Sequence, residues 1–132
     1  GAKDYQQQIL IRKMAKSLYP NLELITAPII RSQSGLALSS RNNYLSAQEL
    51  VSASNLFKSL QQSAKSYNNK INTNEIINDA KKFLKSKNLI PDYFELRDSQ
   101  LNKIADNNFI GKRVFLGSVT INKTRLIDNI EF

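Results

Sequence analysis

The apolar residues of this chain change period in its last third, and that switch restricts the folds open to it. Upstream they fall at helical spacing: Tyr5, Ile9, Leu10, Met14 and Leu18 in one stretch, Leu50, Ala53, Leu56, Phe57, Leu60 and Ala64 in a second, Ile76, Ile77, Ala80, Phe83 and Leu84 in a third. Residues three and four apart share one face of a helix, so each stretch predicts an amphipathic helix. Further on the pattern alternates. Asp92–Arg97, Arg113–Thr120 and Thr124–Ile130 predict strands, with Gly111 and Asn122-Lys123 as turn punctuation. Helices followed by closely spaced strands predict an α+β fold, two helices covering a small antiparallel sheet.

The element ends can be read as well. Asp4 precedes the first helix, where the helix dipole favours an acid, and Pro20 closes it. Leu22 to Ala27 predicts a short, largely apolar strand ended by Pro28, and a helix followed by a strand is what the tail of a parallel α/β domain would leave. Ser46-Ala-Gln-Glu49 has the spacing of a capping box, so the second helix should begin there and fade at Asn68-Asn69. The third is expected to start at a cap on Asn72 or Thr73.

At 132 residues, 41% hydrophobic and 23% charged, the chain can bury one modest core. No apolar run approaches the roughly 20 residues of a membrane span, and the first residues lack the layout of a signal peptide. A cytoplasmic protein is therefore expected. Nineteen Lys and Arg against eleven Asp and Glu give a formal charge of +8, the footprint of an anion binder. Nucleic acid is the rival ligand, and a non-catalytic basic RNA-binding module the alternative function. However, Lys81, Lys82, Lys85 and Lys87 read as the solvated face of one helix, and nothing interleaves aromatic with basic residues. With no histidine and no cysteine, the commonest general base, disulfides and thiolate metal sites are excluded.

One stretch is rich in chemistry. Between Arg31 and Leu45, small, hydroxyl-bearing and cationic residues surround Gly35. Ser39 and Ser40 offer hydroxyl donors, Arg41 a guanidinium fork, and Gly35 a turn whose amides can converge on an anion. Composition alone is equally that of an ordinary surface loop. Lys3 stands just before a helix start, where free amides also favour an anion.

The order of these residues goes beyond composition. Ser34-Gly-Leu-Ala-Leu-Ser-Ser-Arg-Asn-Asn-Tyr-Leu45 resembles the signature segment of the pantoate-β-alanine ligase family, Gly1-Ala-Lys-Asp-Tyr-Gln-Gln7 its Gly-x-Lys-Asp-x-Gln-Gln segment, and Lys123-Thr-Arg-Leu-Ile-Asp-Asn-Ile130 its terminal strand. The resemblance runs almost end to end, weakest from about Asn55 to Leu89. It implies a C-terminal portion, because the family's paired-histidine motif would stand upstream. Residues 1–29 would be the tail of a Rossmann-like nucleotide-binding domain and 30–132 a small α+β domain, with the handover near Ile29 or Ile30.

The reaction so implied has two steps. Pantoate attacks the α-phosphate of ATP to give pantoyl adenylate and pyrophosphate, and β-alanine then displaces AMP. By the resemblance, Lys3, Ser39, Ser40 and Arg41 would act on the phosphates, the Gly1 backbone and Asp4 would meet the ribose, and Gln7 would bind pantoate. Ile30 would present backbone to the adenine, and Leu38 stands where the family usually carries methionine. Mg²⁺ would be held through the phosphates, with no metal ligand on the chain. The partners implied are ATP, pantoate, β-alanine and the missing N-terminal domain, within a homodimeric parent, and the portion alone would be inactive. Ser32 and Ser34 depart from the acidic residues the family often has before the glycine. Lys123, Thr124, Arg125 and Asp128 are expected to be structural, and Glu95, Arg97 and Asp98 a surface cluster.

Overall fold

In the computed structural model, residues 1–104 and 108–132 are described. Helix α1 spans Tyr5–Leu18, α2 Ala47–Ala53, α3 Asn55–Asn68 and α4 Thr73–Ser86, with a 3₁₀ turn at Ser40–Tyr44. Strands β1 (Ile90–Asp98), β2 (Arg113–Ile121) and β3 (Thr124–Glu131) form one antiparallel sheet in the order β1-β2-β3. The fold is α+β, as the change of period predicts.

The sheet is covered on both faces because β2 is apolar on both. Phe115 and Val119 point to the layer of α3 and α4, where Leu56, Leu60, Ile76, Leu84, Phe94 and Leu126 complete the main core. Val114 and Leu116 point the other way and pack with Tyr5 and Ile9 of α1. Gly117 lets α3 approach closely: a Cβ there would stand 2.9 Å from a Leu56 methyl and 3.5 Å from the Phe94 ring. The Phe115 ring stacks on Phe132 at 5.5 Å, and Tyr67 meets Phe132 edge-on at 5.8 Å.

Several expectations are refined. The capping box at Ser46 forms in both directions, but the helix it begins is two segments, α2 and α3, broken at Ser54. There the Ser54 hydroxyl donates to the Val51 carbonyl at 2.7 Å and the Asn55 amide to the Ser52 carbonyl at 2.8 Å, so side chains compete with the backbone for these acceptors. Asn72, rather than Thr73, caps α4. Phe83 is 37% exposed instead of joining the α4 stripe, and Leu10, Met14 and Leu18 stay more than half exposed on α1. β1 starts earlier than expected, at Ile90, and its register shifts between Pro91 and Tyr93. Asp92, the extra residue, reaches back to Ser118 at 2.8 Å and to Arg125 at 3.2 Å.

The expected strand at Leu22–Ala27 does not form. A strand exists only where a neighbour supplies a ladder, and among the described residues none runs beside this segment. It is extended instead and laced to α1 by side chains. Thr26 accepts from Gln8 at 2.8 Å and from Arg12 at 2.5 Å, Arg12 also donates to the Leu24 carbonyl, and the Ala2 amide donates to the Ala27 carbonyl at 2.8 Å.

Tyr5 ties α1 to the sheet, its hydroxyl donating to Glu131 at 3.2 Å. Burial, reinforced by the Glu131 charge, pushes its pKa from 10.0 to about 12. A phenol whose pKa is raised on folding contributes stability that is complete below the unfolded value and lost as pH rises through the folded one. Alkaline titration should therefore cost up to about 2 kcal/mol between those two values. The check is the urea midpoint against pH, where Tyr5→Phe is expected to remove that part of the slope.

Candidate functional site

Residues 31–45 fold as a short hairpin followed by a 3₁₀ turn. Arg31 and Ala37 form an isolated antiparallel bridge, Ser32 and Leu36 pair through backbone at 2.9 Å, and the Gly35 amide closes the turn onto the Ser32 carbonyl at 2.9 Å. Gly35 has φ of +90°, in the left-handed region where a side chain is strained. Its Cβ would also stand 2.7 Å from Phe57. Gly35→Ala is therefore expected to cost about 1–3 kcal/mol, read as a lowered urea midpoint.

Arg31 is the base of this hairpin. Its guanidinium forks onto Asp128 at 2.6 and 2.9 Å, donates to the Gly35 carbonyl at 3.0 Å, and lies 3.6 Å over the Phe57 ring. Phe57 therefore cannot swing away from a Gly35 side chain without giving up the cation contact. Asp128, a single acid at an inward position of β3, is only 5% exposed. It is structural, as expected for that segment, and its partner is Arg31.

Ser39, Ser40 and Arg41 follow directly. The Ser39 hydroxyl donates to the Asn42 side chain at 2.8 Å, and the Asn42 amide returns to the Ala37 carbonyl at 3.3 Å, fixing the entry to the 3₁₀ turn. Ser40 and Arg41 are exposed, and their side chains have no hydrogen-bond or ionic partner among the described residues. Leu38 pairs its amide with the Ile30 carbonyl at 2.9 Å, and both side chains are exposed, at 50% and 64%.

The N-terminal residues form a second group. Gly1, Asp4 and Gln7 line a recess of about 190 Å³ with Ile11, Arg12 and the extended segment through Thr26. Asp4 sits at the N-cap of α1, and its side chain makes no capping hydrogen bond to the first-turn amides. Its carboxylate stands 3.6 Å from the Lys3 ammonium, whose side chain is 19% exposed. Lys3 makes no bond to Ser39, Ser40 or Arg41.

The two groups are joined through the sheet. Asn129, 5% exposed, donates its side-chain amide to the carbonyls of Ala2 at 2.9 Å and Lys3 at 3.0 Å, while the adjacent Asp128 holds Arg31. Sequence reasoning left Arg31, Phe57 and Asn129 out of the site. The available signal was Asp128 itself, an acid flanked by Leu126 and Ile130 on the inward side of a strand, which requires a buried cation. Glu95 and Arg97 pair with each other at 2.6 Å. A cleft of about 430 Å³ between α3 and α4 contains none of the predicted site residues.

Comparison with known proteins gives a consistent result. The chain matches the model of the family described as Pantoate-beta-alanine ligase over residues 1–131. Pantothenate synthetase of Shewanella oneidensis is 38% identical over 132 residues, covering 100% of this chain and 47% of that protein. The enzyme of the same name from Campylobacter fetus is 39% identical, covering 98% and 47%. The crystal structure of pantothenate synthetase from Thermus thermophilus superposes with a TM-score of 0.89 at 28% identity, over 98% of this chain and 47% of that one. A pantoate-beta-alanine ligase from Francisella tularensis, complexed with beta-gamma ATP and beta-alanine, gives 0.65 at 30% identity over 98% and 41%. The chain thus spans about half the length of the curated relatives it matches. The match through both anchored groups and the terminal strand places this chain in the pantoate-β-alanine ligase family.

Proposed function

We propose that this chain supplies part of the nucleotide site of an ATP-dependent, AMP-forming ligase that joins pantoate to β-alanine through a pantoyl adenylate. The observation that carries the reading is the pair of anchors on β3, which hold the Lys3 segment and, through Arg31, the hairpin that leads into Ser39–Arg41 from consecutive residues. The Francisella relative, complexed with beta-gamma ATP and beta-alanine, supports the same substrates.

In this reading Lys3 and the fork of Arg41 neutralise the phosphates, with the Ser39 and Ser40 hydroxyls as donors to their oxygens. Arg41 stabilises the charge that grows as pyrophosphate departs. Gly1 and Asp4 take the ribose, Ile30 and Leu38 flank the adenine, and Gln7 meets pantoate at the recess. Magnesium would be held through the phosphates of the triphosphate, where it would offset part of their charge. Holding the adenylate dry until the amine arrives is a matter of positioning, which suits a segment without histidine.

Residues 1–29 would belong to a Rossmann-like nucleotide domain and 30–132 to a smaller domain. The support is the surface left uncovered before Ile30. Leu10, Met14 and Leu18 form an apolar stripe on α1, and Ile25, 87% exposed, lies in the extended segment whose backbone finds no ladder. The remaining half of the protein would cover the stripe and pair with residues 22–27 as a strand. It would also carry most of the pantoate pocket and the dimer surface of a cytoplasmic enzyme. Among the described residues no helix is long and apolar enough to cross a membrane. Membership of the ligase family leaves the RNA-binding alternative without support.

The test is AMP release. The full-length protein containing this chain is expected to release AMP only when ATP, pantoate and β-alanine are all present, and the isolated chain to show no turnover. Turnover by the isolated chain would contradict its dependence on a second half, and absence of turnover by the full-length protein would remove the reading.

A further inference from the structure

Asp128 and Asn129 are neighbours on one strand, yet they face opposite sides of the sheet. Side chains alternate along a strand, so Asp128 enters the layer of α3 and the hairpin while Asn129 enters the layer of α1. The Arg31 guanidinium is restrained by both Asp128 oxygens, the Gly35 carbonyl and the Phe57 face. A lysine, or an apolar pair of similar volume, would fill this space without fixing the rotation of the hairpin. Asn129 likewise spends both donors of its amide on consecutive carbonyls, Ala2 and Lys3. Both Asp128 oxygens and both Asn129 amide donors are thus already engaged within the fold.

Resting on the proposed function, we propose that Asp128 and Asn129 are positioning residues, which set the distance between the Lys3 ammonium and the Ser39–Arg41 turn so that both reach one triphosphate. A β-strand is a stiff element, and two anchors one residue apart transmit almost no slack. The N-terminal segment is additionally held by the bond from the Ala2 amide to the Ala27 carbonyl, which joins it to the chain leading into the hairpin.

The test uses the full-length protein containing this chain and reads pantoate-dependent exchange of pyrophosphate into ATP, the reverse of the first step. Asn129→Ala and Lys3→Ala are each expected to lower kcat/KM for ATP at least tenfold, and the double variant to be no worse than Lys3→Ala alone. Multiplying losses would overturn the proposal, because Asn129 would then act independently of Lys3. On the other face, Arg31→Met combined with Asp128→Leu removes both charges at similar volume, so the thermal midpoint is expected to stay near that of the unmodified protein. Exchange is still expected to fall at least tenfold, and a full rate in that folded variant would make the pair merely structural. If the unmodified protein shows no exchange, the functional reading fails and the proposal with it. If it exchanges and the variants match it, the proposal alone fails.

Discussion

Asp128→Ala is expected to destabilise the fold by about 3 kcal/mol, the low end of the cost of breaking a buried ion pair. Three things are lost together. Arg31 keeps its charge without its bidentate partner, the Gly35 turn loses the fork that orders it, and the Asn129 amide loses its acceptor at 2.8 Å. The low end applies because the Arg31 side chain keeps 19% of its surface in water and can be partly solvated after the change. Urea denaturation of the isolated chain reads the effect directly, and a loss below about 1 kcal/mol would mean that the pair is dispensable for folding. Arg31→Ala should cost a similar amount, since it leaves the carboxylate, 3% exposed, as the unpaired group.

Arg41→Ala should behave in the opposite way, with the urea midpoint unchanged and the rate of the full-length protein lowered by about 10²–10³-fold. Arg41 is exposed and has no bond or ion pair within the described residues, so the fold does not depend on it. If it meets charge that develops as pyrophosphate leaves, its removal acts on kcat more than on KM for ATP. Arg41→Lys should recover only part of the rate, because an ammonium keeps the charge and loses the fork. Pantoate-dependent exchange measured across ATP concentrations separates the two parameters, and a variant whose kcat is unchanged would exclude Arg41 from the phosphates.

The contrast between these residues explains what was readable from sequence. The sheet and the stripes of α3 and α4 were legible because each is a local pattern enforced by one buried face, and the Ser46 capping box because both its partners lie within one turn. The break at Ser54 was not, since it depends on whether two short polar side chains turn back onto Val51 and Ser52 or out to water. The strand expected at residues 22–27 failed for a different reason: its apolar content is real, but a strand is a property of two segments, and among the described residues none pairs with this one. At the candidate site, Ser39, Ser40, Arg41 and Lys3 were proposed from their chemistry and order. The Arg31–Asp128 pair beneath the hairpin was missed because the two residues lie 97 positions apart and meet only through the tertiary fold.

The two-residue turn at Asn122-Lys123 has an outsized effect for so small an element. It connects Ile121 to Thr124 and so sets which β3 residue faces which layer, with Asn122 accepting the left-handed φ of 50° that the turn needs. Adding or deleting one residue there would exchange the aspartate and the asparagine between layers, sending a carboxylate toward two carbonyls and an amide toward a guanidinium. Loop length at this hairpin therefore decides which side chain each layer receives, and the connection should tolerate substitution far better than any change in its length.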